Sequence, residues 1–193
     1  MDDFELISQI LTGNRNAFTF FVNRYQRLVV HIAGRIIQRH DELEDVCQEI
    51  FLKVYNNLGK YRNECKLSTW IATIAYNESI NYLRKIKKFD NANPIDSEAL
   101  RNLADFSFSS YERTDLHQYI REQTERLPIQ YRTVLTLYYL DEFSYQEIEQ
   151  ITGMPEGTVK NYLFRAKALL REKLKHVMDE NSLKRVKETT NEI

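Results

Sequence analysis

Two small all-α domains, joined by a flexible acidic linker, are predicted by three features of this 193-residue sequence. Apolar residues recur at spacings of three and four, the period of a helix, and no run alternates as a strand would. Only five Gly and three Pro punctuate the chain. Near the C-terminus, SYQEIEQITGMPEGTVKNYLFRAK, from Ser144 to Lys167, carries the signals of a helix, a tight turn and a second helix.

The elements follow in order. Phe4 to Leu11 reads as a short helix stopped by Gly13-Asn14. Phe18, Phe21, Tyr25, Leu28, Ile32 and Ile36 mark one face of a first long helix, and Leu43, Val46, Ile50, Val54 and Leu58 mark a second. A third begins at Ser68-Thr69, a candidate N-cap pair, and runs toward Lys88, with Ile71, Ala75, Tyr82 and Ile86 on its core side. The pattern breaks over Phe89–Glu112, where Asp90, Asp96, Glu98, Asp105 and Glu112 face the single base Arg101, a net of -4 (1 base minus 5 acids). A connection of that length and composition is an interdomain linker. Helix resumes near Thr114, stops at Leu127-Pro128 and restarts with Tyr131, Val134, Leu135 and Tyr138. The domains are therefore 1–88 and 113–178, with a linker at 89–112 and a polar, fraying tail at 179–193.

Ser144 and Glu147 make a capping box, Gly153 supplies the turn and Pro155 suits the first turn of the next helix. Val159, Leu163, Ala166 and Leu170 form that helix's buried stripe. Thr158, Lys160, Asn161, Phe164, Arg165 and Lys167 face away. This is the chemistry of a recognition helix in a helix-turn-helix domain: amide and guanidinium groups for base edges, an aromatic for a thymine methyl, and lysines for phosphates. The bland alternative is a basic amphipathic helix that only packs against its neighbour. Glu149 stands where a small residue commonly lets the two helices approach, so either it bends outward or the pair crosses more openly.

Two further surfaces emerge in the N-terminal half. Trp70, Thr73, Asn77, Asn81, Arg84 and Lys88 share one helix face, and RKIKK at Arg84–Lys88, which includes Lys85, adds positive charge. An indole among amides and bases is a stacking platform beside a phosphate track, or else an ordinary solvated face with Trp70 in the core. The loop before it, with Tyr61, Arg62 and Asn63, suits a base flipped out of the stack. The second helix carries Asp41, Glu42, Glu44, Asp45 and Glu49 early on. Acids of the first turn suit the helix dipole, but a face running through Asp45, Gln48 and Glu49 to Leu52 has the make-up of a protein-docking surface.

Composition excludes other classes. No apolar run reaches the roughly 18 residues of a membrane span, so no membrane insertion is expected, and MDDFELISQI has no basic n-region of a signal peptide. Two cysteines, Cys47 and Cys65, are too few for a disulfide framework and read as reduced thiols of a cytoplasmic protein. The four histidines lack metal-ligand spacing. No metal, cofactor or catalytic activity is expected. A lone His40-Asp41 pair gives a metal phosphohydrolase little support.

Together, DELEDVCQEIFLKVYNNL, STWIATIAYNESINYLRKIKK and LPIQYRTVLTLYYLDEFSYQEIEQITGMPEGTVKNYLFRAKALLREKL resemble bacterial RNA polymerase sigma factors of the extracytoplasmic-function (ECF) group, in the right order from about Leu6 to Leu174. The resemblance implies a monomer, free or bound to core RNA polymerase, that directs the enzyme to promoters and assists strand opening. It implies polymerase docking through Asp45, Gln48, Glu49 and Leu52. The melted minus-ten strand would meet Tyr61, Arg62, Asn63, Trp70, Asn77, Asn81, Arg84, Lys85 and Lys88. The minus-thirty-five duplex would be read by Thr158, Lys160, Asn161, Phe164, Arg165 and Lys167. An anti-sigma partner is common in that family. Such a division of labour explains a formal net charge of only -1: basic patches face nucleic acid while acidic stretches face a larger protein. The competing reading is a self-sufficient helix-turn-helix regulator with a sensing N-terminal half, which would dimerise to match two half-sites.

Overall fold

A computed structural model describes residues 2–37, 39–92 and 116–190, without the side chains of His40, 87–92, 116–119, 121 and 175–190. Its described residues form helices and one short 3-10 turn, with no strand. The helices are α1 (Asp3–Leu11), α2 (Arg15–Ile36), α3 (His40–Asn57), α4 (Leu67–Ala92), α5 (Leu116–Glu125), α6 (Ile129–Tyr139), α7 (Tyr145–Thr152) and α8 (Glu156–Thr190), with the 3-10 turn at Leu58–Lys60.

The first core is built by α2, α3 and α4 packing on one another, with α1 laid across α2. Asp2 caps α1 by accepting from the Glu5 amide, and Asn14 caps α2 by accepting from Asn16 and Ala17. Between them Gly13 takes φ +88°, the left-handed conformation that lets α1 end sharply. The apolar stripes meet as their spacing requires: Phe21, Val29, Ile32 and Ile36 of α2, Val46, Ile50 and Val54 of α3, and Ile71, Ala72 and Ala75 of α4 are buried. Lys53 and Glu78 pair at 2.5 Å, tying α3 to α4 at the surface.

The second core is built by α5, α6, α7 and α8, with α8 packed on the other three. Val134 and Leu137 of α6, Ile148 and Ile151 of α7 and Val159, Leu163 and Ala166 of α8 fill it. Arg132 is buried there, its Nη1 donating to the Glu125 carbonyl at 2.7 Å. Burial, with Arg35 nearby, holds its pKa below the ordinary guanidinium value.

Four boundaries differ from the sequence-based expectation. The third helix starts at Leu67, so Ser68 and Thr69 sit inside its first turn and not at its cap. Thr69 is fully buried, which is why its hydroxyl serves a tertiary contact. Pro155 precedes α8 and its carbonyl accepts from the Thr158 and Val159 amides, making it a cap residue. Helix α4 runs through Ala92, past the expected linker start at Phe89, because nothing before Pro94 interrupts it; the remainder of that linker lies outside the described residues. Finally, the polar segment after Val177 stays helical to Thr190, a stretch without Gly or Pro.

Candidate functional site

Three surfaces gather the residues singled out in the sequence. On α3, Asp45, Gln48, Glu49 and Leu52 are all exposed on the side opposite Val46, Ile50 and Val54. Leu52 keeps 59% of its surface in solvent and Tyr55, one turn on, 44%. The acids of this helix divide into two groups. Asp41 and Glu42, in the first turn, are held by Arg39 at 3.2 Å and 2.6 Å. Glu44, Asp45 and Glu49 enter no ion pair among the described residues. Dipole stabilisation accounts for the first group, which lies in the first turn where that effect acts, and leaves the second unexplained by the fold.

The second surface combines α4 with the loop before it. Asn77, Asn81, Arg84 and Lys85 are exposed on α4. At the ordinary helical rise, Trp70 and Arg84 lie about 21 Å apart along the axis, a track several nucleotides long. The Lys88 side chain lies outside the described residues. Trp70 is half-buried, and its ring centroid lies 5.5 Å from that of Tyr61 at a tilt of 54°. The Tyr61 hydroxyl donates to the Cys65 carbonyl at 2.6 Å and lies 3.0 Å from Asn63 Oδ1. Asn63 adopts φ +57°, a left-handed conformation that asparagine tolerates better than most residues. Arg62 is exposed beside it. The aromatic pair and the hydrogen-bonded loop thus form one wall.

That wall borders a cleft of about 480 Å³ lined by Asp3, Arg24, Tyr25, Tyr61, Asn63 and Lys66, among others. Asp3 pairs with Arg24 at 3.0 Å and accepts from the Tyr25 hydroxyl at 3.2 Å. Burial and the neighbouring Asp3 carboxylate push the Tyr25 phenol up to about 12, so it remains a neutral donor. Sequence reading missed the α1 and α2 contributions to this cleft, since residues roughly forty to sixty positions upstream of the loop carry no motif that ties them to it.

The third surface is α8. Its buried stripe is Val159, Leu163 and Ala166, with Leu170 half-buried. Lys160, Asn161, Arg165 and Lys167 are exposed, Phe164 is 71% exposed and Thr158 is half-buried. Lys160 pairs with Glu156 at 2.5 Å and lies 5.2 Å from the centre of the Tyr145 ring. The preceding turn has the expected build: Ser144 and Glu147 form a complete capping box and Gly153 takes φ +71°. Glu149 is exposed, so its carboxylate is not buried between α7 and α8.

The two thiols differ in setting. Burial and Glu44 push Cys47 up to about 11, and burial with Glu64 and Glu147 raises Cys65. A raised thiol pKa leaves little thiolate near neutral pH. Alkylation of the folded chain should therefore be slow, should reach the half-buried Cys65 before the buried Cys47, and should accelerate as pH rises. Mass spectrometry of iodoacetamide-treated protein would read the order; equal rates would contradict it.

Comparison with known proteins matches the two helical groups to a family. The family model for sigma-70 region 2 matches residues 21–89, which run from within α2 into α4, and that for sigma-70 region 4 matches 117–170, which run from α5 into the first half of α8. The ECF RNA polymerase sigma-E factor of Haemophilus influenzae is 30% identical over 186 residues, covering 92% of this chain and 98% of the relative. The chain belongs to the ECF sigma factors. Similarity extends to the ECF factor SigW of Bacillus subtilis, 32% identical over 177 residues and covering 88% of this chain and 95% of the relative. In solved structures, the fold is similar to that of the sigma factor RpoE from Bartonella quintana in complex with the anti-sigma factor NepR, with TM-score 0.62 at 23% identity, covering 82% of this chain and 96% of that one. It is likewise similar to CnrH in complex with the cytosolic domain of CnrY, with TM-score 0.62 at 20% identity, covering 90% and 97%. As an ECF sigma factor, the chain is a transcription initiation factor that directs RNA polymerase. Among the described residues no helix is long and apolar enough to cross a membrane.

Proposed function

We propose that this sigma factor divides promoter selection among the three surfaces described. The α3 stripe of Asp45, Gln48, Glu49 and Leu52 docks on core polymerase. The face of Trp70, Asn77, Asn81, Arg84, Lys85 and Lys88, with Tyr61, Arg62 and Asn63 of the loop, holds the unpaired minus-ten strand and so assists melting. The outer face of α8, through Thr158, Lys160, Asn161, Phe164, Arg165 and Lys167, reads the minus-thirty-five duplex. The observation that carries this division is the segregation of unpaired acids on α3 from exposed bases and amides on α4 and α8.

Affinity for duplex DNA comes chiefly from phosphate neutralisation, and two small basic patches on a chain of net charge -1 supply little of it. Polymerase, by fixing both readers at promoter spacing, raises the effective concentration of the second once the first has bound. An anti-sigma factor is a further proposed partner, supported by the anti-sigma complex in which the Bartonella relative was solved. Transcription from a randomised promoter library with added core polymerase tests the whole reading. Enrichment of two spaced elements is expected; a flat library would overturn it.

Two substitutions test the individual DNA surfaces. Arg165→Ala should cost about 1–3 kcal/mol of base discrimination in the duplex element, the loss typical of one bidentate contact, and unchanged selectivity across the library would remove Arg165 from the reading set. Trp70→Ala should impair strand opening more than initial duplex binding. Loss of one base-stacking contact is worth about 1–3 kcal/mol, and the indole also supports Tyr61. Permanganate footprinting that shows wild-type melting would refute it.

A further inference from the structure

The start of α8 holds one group that phosphate binding does not explain. From Glu156 to Lys167 the helix has three bases, Lys160, Arg165 and Lys167, and a single acid, Glu156. A carboxylate beside a DNA backbone opposes binding unless a donor meets it. The helix dipole favours an acid in the first turn, but it does not fix where the carboxylate points. Here Glu156 Oε1 lies 2.5 Å from Lys160 Nζ, one turn along, and both side chains stay partly open to solvent, at 35% and 54%. The ammonium is also held from the side, 5.2 Å from the centre of the Tyr145 ring and within cation–π range. Tyr145 is in turn backed by Tyr138 of α6, whose ring lies parallel to it within 7° at 5.0 Å. Rings from α6 and α7 thus hold one ammonium beside one carboxylate at the start of α8, with the exposed Phe164 one turn further on.

We infer that Glu156 is a specificity-determining residue, which together with Lys160 reads one G·C base pair in the minus-thirty-five duplex. The inference rests on the assignment of α8 to that duplex made above. In helix-turn-helix domains the N-terminal residues of the second helix are those that meet base edges, and both residues lie in the first two turns of α8. The major-groove edge of a G·C pair runs acceptor, acceptor, donor: guanine N7 and O6, then cytosine N4. An ammonium spans the two guanine acceptors and a carboxylate takes the cytosine donor, so Lys160 and Glu156 side by side match that order. An A·T pair sets its donor, adenine N6, between two acceptors, and one ammonium beside one carboxylate cannot reach both of them. A carboxylate accepts several hydrogen bonds and an ammonium donates several, so their own ion pair leaves each with capacity for a base. An exposed pair of this kind contributes little to stability, and the fold does not depend on it. Tyr145 is the positioning residue: its ring keeps Lys160 beside the acid and stops it swinging out to a phosphate.

Transcription by the full chain with core polymerase, from templates randomised across the minus-thirty-five element, reads the base preference at each position. Glu156→Ala should relax the preference at a single G·C position by roughly tenfold, within the range of one specific base contact. The remaining positions should stay as selective as in the wild type, which also shows that the domain is folded. The swap Glu156→Lys with Lys160→Glu should invert that same position from G·C to C·G. Tyr145→Leu should blunt the preference there, and Tyr145→Phe, which keeps the ring, should retain it. A Glu156→Ala profile with every positional preference intact, whatever the change in overall transcription, would overturn the inference and leave Glu156 as a charge at a helix end. The Arg165→Ala profile separates the two possible failures. If it relaxes a position of its own while Glu156→Ala relaxes none, the inference alone is wrong. If neither profile changes, α8 does not read the duplex, and the inference falls with that assignment.

Discussion

Phe21→Ala is expected to destabilise the N-terminal core by about 3–5 kcal/mol, the usual loss when a buried aromatic is truncated. Phe21 is fully buried on α2, with the Tyr25 ring 4.9 Å away and Phe18 at 6.2 Å. It stands where α2 meets the other helices of that core, so its removal leaves a cavity that rigid helices cannot close. Domains of this size have only about 5–15 kcal/mol in total, so the loss is a large fraction of what holds α3 and the cleft in place. The adjacent Phe20 is 50% exposed and supplies the control: Phe20→Ala should fall within about 0.5 kcal/mol of wild type. Urea unfolding followed by circular dichroism would compare the two. Equal midpoints would mean that the core does not depend on Phe21 and that the helix packing described here is wrong.

The contrast between Phe20 and Phe21 shows what was legible in the sequence. Helical periodicity distinguishes neighbouring phenylalanines because only one falls on the stripe shared with Tyr25, Ile32 and Ile36. The same logic placed Val46, Ile50 and Val54 inside and Asp45, Glu49 and Leu52 outside. Local chemistry was legible too, as the Ser144–Glu147 capping box and the positive φ at Gly153 show. Helix ends were less so, since Ser68-Thr69 has the side chains of a cap while tertiary packing buries Thr69 against α7. Least visible were contacts between residues far apart in the chain. His31 and Asp141 are 110 positions apart, and no spacing or composition signals that they meet. The Asp3–Arg24–Tyr25 floor of the cleft is hidden for the same reason: each residue is unremarkable on its own helix, and only the packing of α1 across α2 brings them to the loop.

Leu52→Ala combined with Glu49→Lys is expected to weaken binding to core polymerase by at least about 2 kcal/mol, or roughly thirtyfold in Kd, with the fold intact. Interfaces draw most of their energy from a few central apolar side chains ringed by polar ones that exclude water. Leu52, largely exposed and flanked by Gln48, Glu49 and Tyr55 on α3, has that setting on a helix whose opposite face already fills the core. Removing its branched end forfeits apolar burial worth about 1.5–3 kcal/mol if the docked side chain is fully covered. Reversing Glu49 turns a favourable contact with a basic partner into a repulsion and should act largely through the association rate. Because Glu49 enters no ion pair among the described residues and Leu52 touches solvent, stability should change by less than about 0.5 kcal/mol. Titration of labelled core polymerase with each single and the double variant would separate the two contributions. A non-additive loss would show that both residues meet the same patch on the enzyme. Wild-type affinity in the double variant would move the docking site off α3 altogether, and with it the explanation for the unpaired acids there.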